Sequence, residues 1–252
     1  MKKIITHGGV AHRDELLAVA LAIVIWPVEE IIRTNDITDY KNNPNNIFID
    51  IGNLFDNERF YDHHQNNYTE CSFILVLKKW FETLGILDKF EKYLKYNKWL
   101  STLDIHDRFG PNKAAESIGI DINQYFALAS PIELALIKKF SEKEKITQSD
   151  LQFDILKVIG ESIVTSVGEF MQYIKTTPIE YKKNDMLVLL QFNCKSNPVV
   201  QEIIEEKDPP FVVVVGGRGD TQLWIRDKSI NIDLSAATFV HPNGTIAGFK
   251  NI

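Results

Sequence analysis

The sequence has few of the features that mark secreted, membrane-embedded or generally basic proteins. Its two cysteines, Cys71 and Cys194, lack CxxC spacing and cannot form a disulfide framework. No apolar run reaches membrane-spanning length, and the start MKKIITHGG is too short and polar for a signal-peptide core. The formal charge is -6 at pH 7, so composition does not indicate a nucleic-acid binder. We expect a cytoplasmic protein in which a polyanionic ligand needs a local positive site.

Hydrophobic residues make up 44% of the 252 residues, enough for a sizeable core in one large or two small domains. Residues 2–6, 28–34 and 46–51 read as strands, and residues 14–26 read as a helix that is apolar nearly all round. A strand, a helix and two further strands are typical of a parallel α/β sheet. We therefore predict an α/β fold that begins with such a sheet.

The middle of the chain reads as helical. Helices are predicted over residues 72–107 with a break near TLGILD, over 131–140 and over 152–173, while the charged run 141–145 reads as a solvated face or connector. A second, smaller α/β unit follows from about residue 179. The predicted division is a parallel-sheet catalytic domain, a helical connector and a substrate-binding domain, over residues 1–127, 128–177 and 178–252.

Polar clusters fall where the predicted strands and one helix end. They comprise His7, His12 and Asp14 after the first strand, Asp50 at the end of the third, Asp62, His63 and His64 beyond it, and Asp104, His106 and Asp107 at a helix end. Ligand sites in parallel sheets form at the carboxyl ends of strands. Taken singly, each cluster is as well explained by a helix cap, as for Asp14, or by a polar surface loop.

Taken together, the clusters predict a metal site. Carboxylates and imidazoles without cysteine suit Mn²⁺, Mg²⁺ or Zn²⁺. Six or more ligands exceed the needs of one four-coordinate ion, which favours two metals. We expect two divalent ions, with Mn²⁺ preferred.

Several motifs carry a resemblance to a known superfamily. The sequence FIDIG followed by YDHHQ resembles the DHH superfamily of phosphoesterases. There the first motif is usually His, three residues, Asp, one residue, Asp, whereas here it is His7, four residues, His12, one residue, Asp14, then Glu15. That variant, with IIRTND and LDIHDRFG, resembles the Myg family of DHH proteins, described as metal-dependent hydrolases and 3′–5′ RNA exonucleases. The resemblance covers roughly the first 110 residues and returns at the C-terminus.

The resemblance implies roles for the polar residues. It puts His7 and His12 on one ion, and Asp14, His63 and Asp104 on the other, with Asp50 as the bridge. Asp107 would support a ligand, although Asp104 and Asp107 could exchange roles. Asp62 would orient an imidazole by hydrogen bonding. His64 would contact the scissile phosphate or protonate the leaving oxygen. Glu15 would either support a ligand or be a helix N-terminal carboxylate stabilised by the helix dipole, and it is assigned no chemical role.

The C-terminal stretch WIRDKSINIDLSAATFVHPNGTIAGF resembles the substrate-binding end of RecJ-like members of the superfamily. Arg226 could fork onto a phosphate. The loop with His241 and Gly244 could point backbone N–H groups at the same phosphate. The alternative is an ordinary hairpin turn with an Asn-Gly signal.

The predicted function is a two-metal phosphoesterase that hydrolyses short oligonucleotides as a 3′–5′ exoribonuclease does. One alternative is a small-molecule phosphatase acting on pyrophosphate or a nucleotide bisphosphate. Another is a non-catalytic, metal-binding regulatory protein. The expected partners are short RNA or DNA, or a nucleotide, but no membrane. A homodimer is left open.

Overall fold

The computed structural model describes residues 2–65, 70–175, 179–183, 186–192, 204–206, 208–215 and 220–250. By its contacts the chain divides into two compact units, unit 1 (residues 1–167) and unit 2 (residues 168–252). Residues 128–167 of the predicted connector group with unit 1, and the three-part division stays a prediction. Among the described residues, no helix combines the length and hydrophobicity that a membrane span requires.

Unit 1 contains a mixed sheet. Its strands are β1 (Lys2–Thr6), β2 (Val28–Arg33), β3 (Asn46–Ile49), β4 (Phe60–Tyr61) and β5 (Lys145–Thr147). They lie in the order β4-β3-β1-β2-β5. The first four run parallel, and β5 is antiparallel to β2. This confirms the predicted α/β class with a parallel-containing sheet.

Strand β5 was not predicted, because it begins in the charged run that reads as a connector. Its three residues pair with β2, and its one buried residue, Ile146, lies opposite Ile31. A strand of this length contains too few residues to show a hydrophobic period.

Helices cover the sheet and extend unit 1, and the last of them ends beyond residue 167, where unit 1 ends. They are α1 (Arg13–Ile25), α2 (Ser72–Thr83), α3 (Phe90–Tyr96), α4 (Lys98–Phe109), α5 (Pro111–Ser117), α6 (Ile122–Ala127), α7 (Pro131–Ser141) and α8 (Leu151–Tyr173), with a 3₁₀ turn at Leu87–Lys89. The predicted break lies between α2 and that turn. Helices α5 and α6 were not predicted, although Pro111 begins one and Asp121 caps the other.

Helix α1 is buried almost completely, as its apolar sequence predicts. One cause is the close approach of α8 at Gly160. A Cβ added to Gly160 would lie 2.0 Å from the carbonyl oxygen of Ala20, so the two helix backbones are in direct contact there. The position of α1 is therefore set partly by backbone packing.

Unit 2 contains a second, mostly antiparallel sheet. Its strands are β6 (Ile179–Lys183), β7 (Met186–Phe192), β8 (Phe211–Val215), β9 (Asp220–Ile225), β10 (Phe239–Val240) and β11 (Ile246–Lys250), in the order β10-β11-β9-β8-β7-β6. Strands β7 and β8 pair in parallel. The predicted helix near PVVQEIIEE lies largely outside the described residues, which include the helical residues 204–206.

Candidate metal centre

The candidate centre lies at one edge of the unit 1 sheet, where neighbouring parallel strands end. His7 follows β1, Asp50 follows β3, and His63 comes two residues after β4. These strands are adjacent in the sheet, so their carboxyl ends bring the three side chains together. The sheet therefore assembles residues that lie up to 56 positions apart in sequence.

Asp50 lies at the middle of this group. Its side chain is buried, and its backbone has a φ of 56°, a left-handed conformation that Asp tolerates better than most residues. Oδ2 lies 3.4 Å from Nε2 of His7, and Oδ1 lies 3.5 Å from Nε2 of His63. The hydroxyl of Ser72 donates to Oδ1 at 3.0 Å. Each carboxylate oxygen thus faces a different imidazole.

The start of α1 supplies further polar groups. His12 is the N-cap residue, and Asp14 and Glu15 lie in the first turn, where the helix dipole favours negative charge. Asp14 does not cap the helix, and its side chain is 1% exposed. Burial, followed by the charges of Asp50 and Asp107, raises the pKa of Asp14 well above its usual value. Such a carboxylate is strongly stabilised by a cation.

The two aspartates of α4 have different surroundings. Oδ2 of Asp107 lies 2.8 Å from Nε2 of His63. Asp104 instead accepts from the backbone N–H of Cys71 at 2.7 Å and pairs with Arg108. The structure brings Asp107, not Asp104, into contact with the predicted ligands. The geometry favours Asp107 as the helix ligand.

The two adjacent histidines also differ. His63 is buried, whereas the side chain of His64 is 49% exposed. Oδ1 of Asp62 accepts from Nδ1 of His64 at 2.6 Å, and Oδ2 accepts from the backbone N–H of Asn53. The hydrogen bond that His64 donates to Asp62 raises the pKa of His64. Asp62 therefore orients His64, leaving its other ring nitrogen available.

Several buried polar atoms of the centre make no hydrogen bond of acceptable geometry. Among the described residues, nine buried side-chain atoms have no hydrogen bond of acceptable geometry. Six belong to this centre: Nε2 of His7, both carboxylate oxygens of Asp14, Oδ2 of Asp50, Nε2 of His63 and Oδ2 of Asp107. Buried polar atoms are rarely left unsatisfied. Their concentration at one place is what a ligand-binding site requires.

These residues fit divalent metal ions. Three groups place one ligand atom per residue within 4.8 Å of one another: His7, His12 and Asp50; Asp50, His63 and His64; and His12, Asp14 and Asp107. Nδ1 of His7 donates to the carbonyl of Gly8 at 2.9 Å, which leaves Nε2 to face the centre. This is how ligating imidazoles are commonly oriented. All donors are oxygen or nitrogen.

The centre concentrates opposite charges in a dry environment. Burial disfavours the charged form of His7, but Asp50 and Glu15 outweigh it and raise the pKa of His7 to about 11. Burial acts in the same sense on His63, and there Asp107 and Asp50 raise the pKa to about 10. The buried carboxylates thus favour positively charged groups at this centre.

Glu15 is part of the centre, although its sequence position did not indicate this. It is fully buried, with Oε2 3.0 Å from Nε2 of His7. Its other oxygen accepts from the hydroxyl of Thr6 at 2.8 Å and faces Nε of Arg33 at 3.4 Å. The available signal was Arg33, a charged residue at the end of an apolar strand. Glu15 therefore contacts the same Nε2 atom of His7 that faces the centre.

The residues predicted in unit 2 have partners of their own. Arg226 pairs with Asp208 at 2.9 Å and donates to the carbonyls of Ile204 and Pro209. His241 and Gly244 lie in the turn between β10 and β11, where Gly244 has a φ of 70° and its N–H donates to the His241 carbonyl. This loop is a hairpin turn. The phosphate-binding roles stay predictions.

Comparison with known proteins finds a family model that matches the start of the chain and two relatives that each match less than a third of it. Residues 3–73 match the family model MYG1_exonuc, described as an uncharacterised protein family (UPF0160). A MYG1 protein of Saccharomyces cerevisiae is 32% identical over 71 residues, which is 27% of this chain and 20% of the relative. The MYG1 exonuclease of Bos taurus is 41% identical over 81 residues, or 31% and 21%. The match spans about a fifth of these relatives.

Two solved structures show low similarity. A pGpG-specific phosphodiesterase, PggH, from Vibrio cholerae has a TM-score of 0.29 at 13% identity, covering 100% of this chain and 93% of that one. An uncharacterised protein from Helicobacter pylori has a TM-score of 0.23 at 11% identity, covering 99% and 93%. These scores are too low to carry an argument. The sequence matches support the predicted relation to the Myg family over residues 3–73, where most of the centre lies.

Proposed function

We propose that the centre binds two divalent metal ions and that the protein hydrolyses phosphodiester bonds in short oligonucleotides. The observation that carries this proposal is the set of six buried nitrogen and oxygen atoms, from His7, Asp14, Asp50, His63 and Asp107, that make no hydrogen bond of acceptable geometry. Burying a polar atom without a hydrogen bond destabilises the folded protein. Cations would satisfy all of them at once.

The ligands divide into two sets that share Asp50. His7 and His12 would hold one ion, and Asp14, His63 and Asp107 the other. Asp50 would bridge, because its two oxygens face His7 and His63 respectively. The mixed oxygen and nitrogen donors suit Mn²⁺, with Mg²⁺ or Zn²⁺ as alternatives.

The chemistry follows from the charge and from the exposed imidazole. Held by these residues, two divalent ions would supply a nucleophile at neutral pH and the positive charge that an acidic chain lacks. His64 is held by Asp62 with its ring half exposed. It can contact a phosphate oxygen or give a proton to the leaving oxygen. The buried His63 cannot reach substrate as freely.

The substrate class rests on the sequence matches. The bovine relative is named an exonuclease, and the MYG1_exonuc family model matches residues 3–73, the segment that supplies most of the proposed ligands. The resemblance of the motifs to Myg proteins favours RNA and cleavage from the 3′ end. A short oligoribonucleotide is therefore the proposed substrate.

The test combines metal binding with turnover. Purified protein should bind about two equivalents of Mn²⁺ by calorimetry and shorten a labelled RNA pentamer only with metal present. Short DNA and pyrophosphate serve as competing substrates. The matched control is Asp39→Asn, which neutralises an exposed aspartate away from the centre. Hydrolysis of pyrophosphate alone would overturn the oligonucleotide assignment, and an absence of Mn²⁺ binding would overturn the centre.

A further inference from the structure

A large cavity in unit 1 opens beside the candidate metal centre. It has a volume of about 790 Å³, and its walls come from the start of α1 and from helices α4 to α7. His12, Asp14 and Asp107 line it, so it is continuous with the centre. Its volume lies within the usual range for small-molecule sites.

Two large aromatic side chains line this cavity and remain accessible. Trp99 is 49% exposed and Phe126 is 57% exposed. The ring of Trp99 stacks on the buried Phe73, with centroids 6.2 Å apart and planes 24° apart, which fixes its orientation. Leu128 and Leu134 add exposed apolar surface to the same walls. A rigid aromatic surface of this kind suits a flat, apolar ring.

The cavity also contains a few polar groups. Nδ1 of His106 and the hydroxyl of Tyr125 share a hydrogen bond of 2.7 Å. Arg13 pairs with Glu133 across the cavity from α1 to α7. Within the described residues, Lys98 makes no ion pair and stands exposed on the wall. A purely apolar occupant would cover Lys98 without giving its ammonium group a partner, so an occupant with polar edges fits these walls better.

We propose that this cavity binds the base and sugar of the nucleotide whose phosphate lies at the metal centre. The proposal rests on the proposed function and extends it to a subsite. A nucleobase offers faces that stack on Trp99 and Phe126 and edges that bond to His106 and Tyr125. Lys98, which has no ion pair among the described residues, suits an adjoining phosphate. Because Asp14 and Asp107 line the same cavity, base and phosphate would occupy adjoining parts of one continuous site.

The test compares two substrates that differ only in the bases. One is a diribonucleotide, and the other is the same sugar–phosphate without bases. Base stacking on an aromatic residue predicts that Trp99→Leu raises KM for the diribonucleotide roughly ten- to a hundredfold. KM for the abasic substrate, kcat and bound Mn²⁺ should stay unchanged. Trp99→Phe, which keeps a stacking face, should remain near the wild type.

The matched control is Phe109→Leu. Phe109 is exposed on the same helix α4 but lies outside the cavity, so its loss should change neither KM. Circular dichroism and thermal unfolding establish that the Trp99 variants are folded. A KM change of equal size on both substrates, or equal effects of Trp99→Leu and Phe109→Leu, would overturn the subsite.

A binding experiment separates failure of the subsite from failure of the proposed function. A wild type that cleaves neither substrate would sink the phosphodiesterase assignment and leave the cavity to be judged by affinity. Calorimetry with a nucleoside 5′-monophosphate and the Mn²⁺-loaded protein should then show binding that Trp99→Leu weakens and Trp99→Phe retains. Identical affinities in all three proteins would overturn the subsite whatever the activity.

Discussion

The sheet edge of unit 1 was predicted to bind metal ions, and the C-terminal segment of unit 2 was predicted to bind phosphate. The polar groups of these two regions have different surroundings. At the sheet edge, Asp14 and Asp50 are buried and carry oxygens without hydrogen-bond partners. In unit 2, Arg226 is bonded to Asp208 and to backbone carbonyls, and His241 bonds to Asn243. The sheet edge therefore has buried polar atoms that a ligand could bind, whereas these side chains of unit 2 already bond to neighbouring protein groups.

This difference separates two uses of polar residues after a strand. A polar group that is buried and unpartnered costs free energy, about 1–3 kcal/mol each, and such a cost indicates a ligand. A polar group that bonds to its own loop stabilises a turn and indicates nothing further. Sequence motifs alone do not distinguish these cases. The following predictions test whether the distinction holds.

The largest effect should come from Asp50→Asn. This substitution removes the charge that faces both His7 and His63, so turnover should be abolished and bound Mn²⁺ should fall. Elemental analysis and RNA hydrolysis measure the two effects. Ser72→Ala, which removes the hydroxyl that bonds to Asp50, is the milder companion. Near-normal hydrolysis by Asp50→Asn would refute a two-metal centre.

The second comparison is Asp107→Asn against Asp104→Asn. Asp107 faces His63, whereas Asp104 bonds to the Cys71 backbone and Arg108. Asp104→Asn should lower the rate of RNA hydrolysis by no more than the roughly 10–100-fold expected for a group that supports a ligand. Asp107→Asn should lower that rate further, and calorimetry should also show a reduced affinity for Mn²⁺. The reverse ranking would restore Asp104 as the ligand.

The third comparison is His63→Ala against His64→Ala. His63 is buried against Asp50 and Asp107, while His64 is half exposed and oriented by Asp62. His63→Ala should reduce metal content. His64→Ala should spare the metal and slow turnover about 10²–10⁴-fold if it acts as a general acid. Equal metal loss in both variants would show that His64 is a ligand too.

The smallest effect should come from Arg226→Ala in unit 2. Its ion pair with Asp208 is solvent-accessible, so losing the pair should lower the free energy of unfolding by about 1 kcal/mol or less. KM for a short oligonucleotide should change little, and bound metal should not change. Denaturant unfolding and steady-state kinetics measure these quantities.

Asp208→Ala is the matched variant, because it breaks the same ion pair and keeps the guanidinium. Equal, small effects of the two variants would confirm a structural role. A tenfold higher KM in Arg226→Ala alone would instead support the phosphate contact that the C-terminal motif predicts, and the contrast between the two regions would then fail.

Much of the unit 1 fold could be predicted because its signals are local and strong. The apolar runs of β1, β3 and α1 indicate buried strands and a buried helix, and most of their residues are buried in the structure. Strand β5 and helices α5 and α6 are too short for hydrophobic periodicity, so their existence depends on contacts made elsewhere. The edge position of β5 beside β2 is one such contact.

The sequence was sufficient to identify most residues of the candidate site but not to assign the role of each one. Asp104 and Asp107 are three residues apart on one helix, so spacing cannot rank them. The Cys71 N–H, 33 positions away, occupies Asp104 and leaves Asp107 to face His63. The role of Glu15 was left open because an acidic residue in a first helical turn is common for electrostatic reasons alone. Tertiary contacts decided both cases.

The contact between Gly160 and Ala20 makes the centre sensitive to a residue that has no side chain. Side-chain packing can absorb a small change by a shift of rotamer, but two touching backbones have no such freedom. Any larger residue at position 160 must displace α8 from α1. Because α1 begins at the proposed ligands His12 and Asp14, a displacement of the helix would shift them together. Mutational tolerance at position 160 should therefore resemble that of a ligand position.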